Sequence, residues 1–149
     1  KQRLLCECAS AADAERWLAL AAEHELDLAL AGGRGLEEIA STLAERSIVV
    51  VLDLDAGEEV KVEDEKKRGG EWSYVEPLAL RQEKRRIWEG RRDAAIALER
   101  AGVRLLFGSR GRKAAELLDS LRGLVERGFP KERALAALTV DAAEFLGLG

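Results

Sequence analysis

A chain of 149 residues suffices for one hydrophobic core, and 47% hydrophobic with 35% charged residues is a globular composition. No apolar run approaches the about 20 residues of a membrane-spanning helix, and 24 basic against 28 acidic side chains, a net charge of -4, leave no global field to draw nucleic acid or an anionic membrane. One histidine, His24, and two cysteines, Cys6 and Cys8, are too few to build the usual zinc site from His and Cys ligands.

In chain order, Leu4-Leu5-Cys6 predicts a first strand. Cys6 and Cys8, two apart on it, point to one face but are splayed by the extended backbone, so a disulfide between them would be strained. They read as small buried hydrophobes rather than as a soft-metal pair with Glu7, in a reducing, cytoplasmic compartment. The chain starts at Lys1, holds no Met and shows no charged-then-apolar leader, which reads as a processed fragment or excised domain. Ser10 and Asp13 form a capping-box-like start for a helix with the stripe Ala14, Trp17, Leu18 and Ala21. That helix ends near His24, which reads as a surface or capping residue.

Leu26 to Ala31 predicts a second strand ending at Gly32-Gly33, and Leu36, Ile39, Ala40 and Leu43 a second helix. Gly32-Gly33-Arg34-Gly35 before it matches no dinucleotide or phosphate-loop fingerprint. Ile48 to Leu52, mostly β-branched, reads as a strand of a parallel sheet buried on both faces. Residues 53–77 form a long charged loop whose aromatic pair, Trp72 and Tyr74, is expected to pin its second half.

A long helix follows from Leu78 to Ala101, with Gly102 as its left-handed cap. Its basic residues Lys84, Arg85, Arg86, Arg91 and Arg92 alternate with Glu83, Glu89 and Asp93, so intrahelical pairing rather than nucleic-acid binding accounts for them. Val103 to Phe107 predicts the fourth strand and Lys113 to Arg127 another helix. Pro130 falls in the first turn of a short helix, and Thr139 is placed to cap a last one ending near Gly147. Four strands alternating with helices predict an α/β fold with a parallel sheet, functional groups standing at the C-terminal ends of the strands. We expect one domain over residues 1–149.

The segment Ala101-Gly102-Val103 through Gly108-Ser109, followed by Gly128-Phe129-Pro130, Ala134 to Thr139 and Phe145-Leu146-Gly147-Leu148, resembles the C-terminal part of the amidohydrolase superfamily, closest to its imidazolonepropionase-like and prolidase-like members. Ala11 through Leu52 is similar to the fifth, sixth and seventh strand-helix units. The resemblance implies the C-terminal half of a (β/α)8 TIM barrel, since a complete barrel takes about 250 residues. It also implies a metal-dependent hydrolase of amide or other C–N bonds, working through a metal-bound water.

The superfamily's ligands include a His after the fifth strand, a His after the sixth and an Asp after the eighth. At the corresponding places this chain reads Cys6-Glu7-Cys8-Ala9, Ala31-Gly32-Gly33 and Gly108-Ser109-Arg110-Gly111, with no histidine and with a cation in place of the carboxylate. A guanidinium has no lone pair to offer a metal. The expectation is a catalytically degenerate domain with a structural, association or ligand-binding role, holding no metal and no catalytic residue. The alternative is part of an active hydrolase whose zinc ligands come from an N-terminal half.

Glu7, Asp53, Asp55, Ser109 and Arg110 are expected to converge in a mouth at the strand ends, with Arg110 and Asp53 forming an ion pair. Ser109 has no neighbouring base to make it a nucleophile. A half barrel leaves sheet edges and an inner face without cover, so a second copy or an upstream half is the expected partner, and neither nucleic acid nor a membrane is.

Overall fold

The computed structural model describes residues 3–62 and 76–148. Its elements are β1 (Arg3–Ser10), α1 (Ala11–Glu23), β2 (Asp27–Arg34), a 3₁₀ turn (Leu36–Ile39), α2 (Ala40–Glu45), β3 (Val49–Asp53), α3 (Leu78–Arg100), β4 (Arg104–Gly108), α4 (Ala114–Glu126), α5 (Lys131–Leu138) and α6 (Val140–Phe145). The four strands are parallel and lie side by side in sequence order. Right-handed crossovers between strands added in one direction keep their helices on one face of the sheet, as between successive strands of a (β/α)8 barrel. The fold is α/β, and its sheet is a partial TIM-barrel-like arc.

Alternation along the strands sorts the side chains. Cys8, Leu28, Leu30, Val50, Leu52, Leu105 and Phe107 point towards the helices and join Leu18, Leu43, Leu98 and Leu124 in the main core. The opposite face carries Ala29, Val49, Val51 and Leu106, and there the structure departs from the sequence reading. Helix α6 crosses to this concave face, where Ala142 and Phe145 pack against the smaller cluster. The Arg3 guanidinium lies 5.0 Å from the centre of the Phe145 ring, and Arg104 pairs with Glu144 at 2.6 Å. Part of the cover expected from another chain thus comes from the chain's own last helix.

Local differences have local causes. The second strand continues through the glycines to Arg34 because pairing with β1 continues, Cys8 opposite Gly32 and Ser10 opposite Arg34. Ser10 accepts from the Asp13 N–H at 3.3 Å, but its hydroxyl donates to the Asp13 carboxylate at 3.2 Å, so Asp13 binds back to a side chain rather than to a backbone N–H. Pro130 stands outside α5 as its N-cap, with extended ψ. Thr139 is the N-cap residue of α6, as expected, but its hydroxyl donates to the Leu135 carbonyl at 2.8 Å and makes no capping hydrogen bond to α6. His24 is the exposed C-cap of α1, and Gly102, at φ +81°, ends α3 by the left-handed turn that its missing Cβ permits.

The N-terminal half of α3 holds the start of the loop after β3. Trp88 Nε1 donates to the Gly57 carbonyl at 3.2 Å, and Arg85 reaches the Val60 carbonyl at 3.0 Å and Glu59 at 2.6 Å. The Arg85 and Arg92 guanidinium groups lie 4.6 and 5.0 Å from the centre of the Trp88 ring. Trp72 and Tyr74 lie outside the described residues. The basic run is paired in part within the helix, Arg85 with Glu89 and Arg86 with Glu83 at helical spacing and Arg92 with the adjacent Asp93, while Lys84 pairs outside it with Glu76 and Arg85 also with Glu59. Among the described residues no helix is long and apolar enough to cross a membrane.

Asp93 also binds Arg127, the C-cap residue of α4, at 3.1 Å, tying the end of α4 to α3. The hydrogen bond from Arg92, with the charges of Arg92 and Arg127, holds its carboxyl below the usual carboxylate range. A lowered folded pKa stabilises above the ordinary carboxylate value of about 3.9 and is lost as pH falls through the folded value. With more than a third of its side chain exposed, the contribution is small, about 0.5 kcal/mol. Carbon-13 NMR titration of Asp93 is expected to give a midpoint that rises in Arg92→Ala; an unchanged midpoint would contradict the assignment.

Candidate functional site

The C-terminal ends of the four strands present a row of charged side chains. Because Cys6 and Cys8 of β1 face the helices, Glu7 between them faces the concave side and remains exposed. After β4 the chain turns sharply: Arg110 sits in the left-handed region at φ 47°, Gly111 follows at φ 84°, and the Arg112 N–H closes the turn on the Ser109 carbonyl at 2.9 Å. This turn sends two guanidinium groups back over the sheet. Arg110, which follows β4, passes over β3 and β2 to reach Glu7 on β1, and Arg112 pairs with Asp53 at the end of β3.

Gly32 lies under that span. A Cβ built there would crowd the Cys8 carbonyl at 3.3 Å, whereas the Arg110 guanidinium at 3.9 Å would be in ordinary contact; φ +76° disfavours any side chain.

The expected partnership of Arg110 with Asp53 is corrected. Arg110 takes Glu7, and the cation on Asp53 is Arg112, which the sequence reading passed over. No local sequence signal marks it: the left-handed turn at Arg110 and Gly111, seen only in the structure, brings position 112 back towards β3. The Asp53–Arg112 pair is the better enclosed, with side chains 21% and 22% exposed against 70% and 56% for Glu7 and Arg110. The Arg112 Nε atom is buried with no acceptor among the described residues.

Asp53 Oδ1 also accepts from the Asp55 N–H at 3.1 Å, and Asp55 turns its own carboxylate to the Gly57 N–H at 2.8 Å, so Asp55 braces the loop instead of joining the row. Ser109 is half-buried next to Arg110. Cys8 is buried and points away from the row, its Sγ 3.7 Å from the Ala31 carbonyl; burial, with the Asp13 charge and Cys6 adding to it, pushes its thiol pKa up. Cys6 and Cys8 are both free thiols.

Chemically the row alternates carboxylate and guanidinium. Both engaged carboxylates already carry a cation, and Ser109 has no base beside it. Among the described residues no group of three His, Cys, Asp or Glu side chains converges. The described residues at the strand ends thus do not by themselves make a ligand set for the hydrolytic metal that the resemblance implies.

The sequence profile of the amidohydrolase family matches residues 6–149. A crystal structure of an amidohydrolase from Thermotoga maritima MSB8 superposes with a TM-score of 0.66 at 19% identity, covering 98% of this chain and 33% of that one, which shows a shared fold. The chain thus spans about a third of that protein's length. No curated protein matches it. With its parallel strands in barrel order and the family profile running from Cys6 to the last residue, the chain belongs to the amidohydrolase family.

Proposed function

We propose that this chain is a catalytically inactive amidohydrolase-family domain, retained for structure, association or ligand binding in a reducing, cytoplasmic setting. The observation that carries the reading is the pairing of Asp53 with Arg112 and of Glu7 with Arg110, which neutralises the carboxylates at the strand ends that a hydrolytic metal would need. Glu7, Asp53, Asp55, Ser109 and Arg110 are then residues of a closed mouth rather than of a reaction centre. Its partner is a second copy or an upstream half of a longer polypeptide, not nucleic acid or a membrane.

Elemental analysis by inductively coupled plasma on purified protein is expected to find no stoichiometric zinc, manganese or iron. One equivalent held through dialysis would overturn the reading.

A second reading is supported by the chain's spanning only 33% of the Thermotoga protein. It makes the chain part of an active metal-dependent hydrolase of C–N bonds, with the zinc ligands supplied by an N-terminal half. Upstream coding sequence carrying a His-x-His pair at the end of a first strand would favour it; upstream sequence without such a pair would remove it.

A further inference from the structure

Helix α3 is 23 residues long, and its buried residues, Ala95, Ile96 and Leu98, all lie in its C-terminal half. Arg92, Ile96 and Arg100 stand four residues apart there and so share one side of the helix. That side meets the end of α4, whose C-cap residue Arg127 faces it across a groove of about 410 Å³ lined by Arg92, Asp93, Ile96, Ala97, Arg100 and Arg127. Because α3 precedes β4 and α4 follows it, the groove lies in the outer helix layer between consecutive helices, and strands added at either edge of the sheet leave both its walls in place.

The charges in this groove are arranged in reverse of shared ion pairs elsewhere in the chain. Arg85 is shared by two carboxylates, Glu59 and Glu89, and Arg133 by Glu99 and Asp141. Here one carboxylate is shared by two cations. Asp93 Oδ1 accepts from Arg92 Nε at 2.9 Å and from Arg127 Nε at 3.1 Å, and Oδ2 accepts from Arg92 Nη2 at 2.6 Å. The third cation, Arg100, has no side-chain partner among the described residues. Three guanidinium groups against one carboxylate leave two positive charges uncompensated, in a chain whose net charge is -4. A helix C-terminus favours a cation, which accounts for Arg100 taken singly. It does not account for Arg127, whose side chain leaves its own helix end for Asp93 and for the Arg92 carbonyl of α3, at 3.5 Å.

We propose that this groove binds a dianionic phosphoryl group, which supplies the second anion that the three arginines lack. Its two charges match the surplus, and planar guanidinium groups present paired N–H donors to phosphate oxygens. The donors are held in advance. Asp93 fixes Arg92 by two hydrogen bonds, and the centre of the Trp88 ring lies 5.0 Å from the same guanidinium. Arg127 lies back along α4 over Gly123, where a Cβ would come within 3.2 Å of its Nη1. Each guanidinium carries five N–H donors, and those of Arg92 and Arg127 are only partly used by Asp93 and the Arg92 carbonyl. Ile96 and Ala97 give the groove an apolar wall beside the cations.

Titration of the nitrogen-15-labelled chain with inorganic phosphate, followed through the arginine Nε–H signals, is expected to show saturable shifts at Arg92, Arg100 and Arg127 that chloride at the same ionic strength does not produce. Arg100→Glu, at an exposed position where the fold is expected to persist by circular dichroism, should weaken phosphate binding by about tenfold or more. Phenyl phosphate distinguishes the source of the group: tighter binding than inorganic phosphate identifies an ester, equal binding free phosphate, and either supports the site. Absence of a saturable shift with both, shifts that chloride reproduces, or binding unchanged in Arg100→Glu overturns the inference. The groove takes no part in the ion pairs at the strand ends, so phosphate binding and catalytic inactivity can each fail without the other.

Discussion

Replacing Leu30 by alanine is expected to cost about 3 kcal/mol of stability, the middle of the range for truncating a fully buried leucine. Leu30 has no exposed surface and stands on the helix-facing side of β2, an inner strand of the sheet. The void opens among residues from several elements, so no single side chain can fall in to fill it. Against a typical total of about 5–15 kcal/mol, this is a large fraction. Urea denaturation should show a lower midpoint with an unchanged slope. Leu135→Ala, at a position 63% exposed on α5, is the control and should change stability by less than about 0.5 kcal/mol. Equal effects at the two positions would contradict the placement of the core.

The second large effect is expected at the strand ends. Asp53→Ala strips the carboxylate from a guanidinium that is only 22% exposed and whose Nε has no acceptor among the described residues. An uncompensated, partly buried cation should cost about 2 kcal/mol, less than the value for full burial because water still reaches the pair. Arg112→Ala should cost a similar amount for the converse reason. Since each single change strands the other partner, the double variant should be less destabilised than the sum by about 1 kcal/mol. Strict additivity in that cycle would show that the two side chains do not act together.

The elements that could be read from sequence are those with unbroken local signals. The β-branched run from Val49 to Leu52, the helical stripe of Ala14, Leu18 and Ala21, and the glycine stop at Gly102 each fix an element from within a few residues. Where the structure differs, the decision is tertiary. Nothing in the sequence from Val140 to Phe145 tells which face of the sheet a short amphipathic helix will cover, and only the packing of Phe145 against Ala29, Val49 and Leu106 places α6 on the concave side. Likewise Glu7, Asp53, Ser109 and Arg110 could be assigned to strand ends from the strand pattern alone. Which guanidinium meets which carboxylate depends on the left-handed turn at Arg110 and Gly111, which local propensity does not reveal.

The reading of the strand ends as closed by arginine–carboxylate pairs is tested most directly by thermal melting of the chain with increasing zinc. A metal that binds the folded state raises the melting temperature, the stabilisation growing with the logarithm of its concentration over its dissociation constant. With Asp53 and Glu7 already committed to Arg112 and Arg110, the melting temperature is expected to stay constant as zinc is added. A saturable rise in the parent chain that disappears in Asp53→Ala would contradict the account and return the site to metal-dependent chemistry.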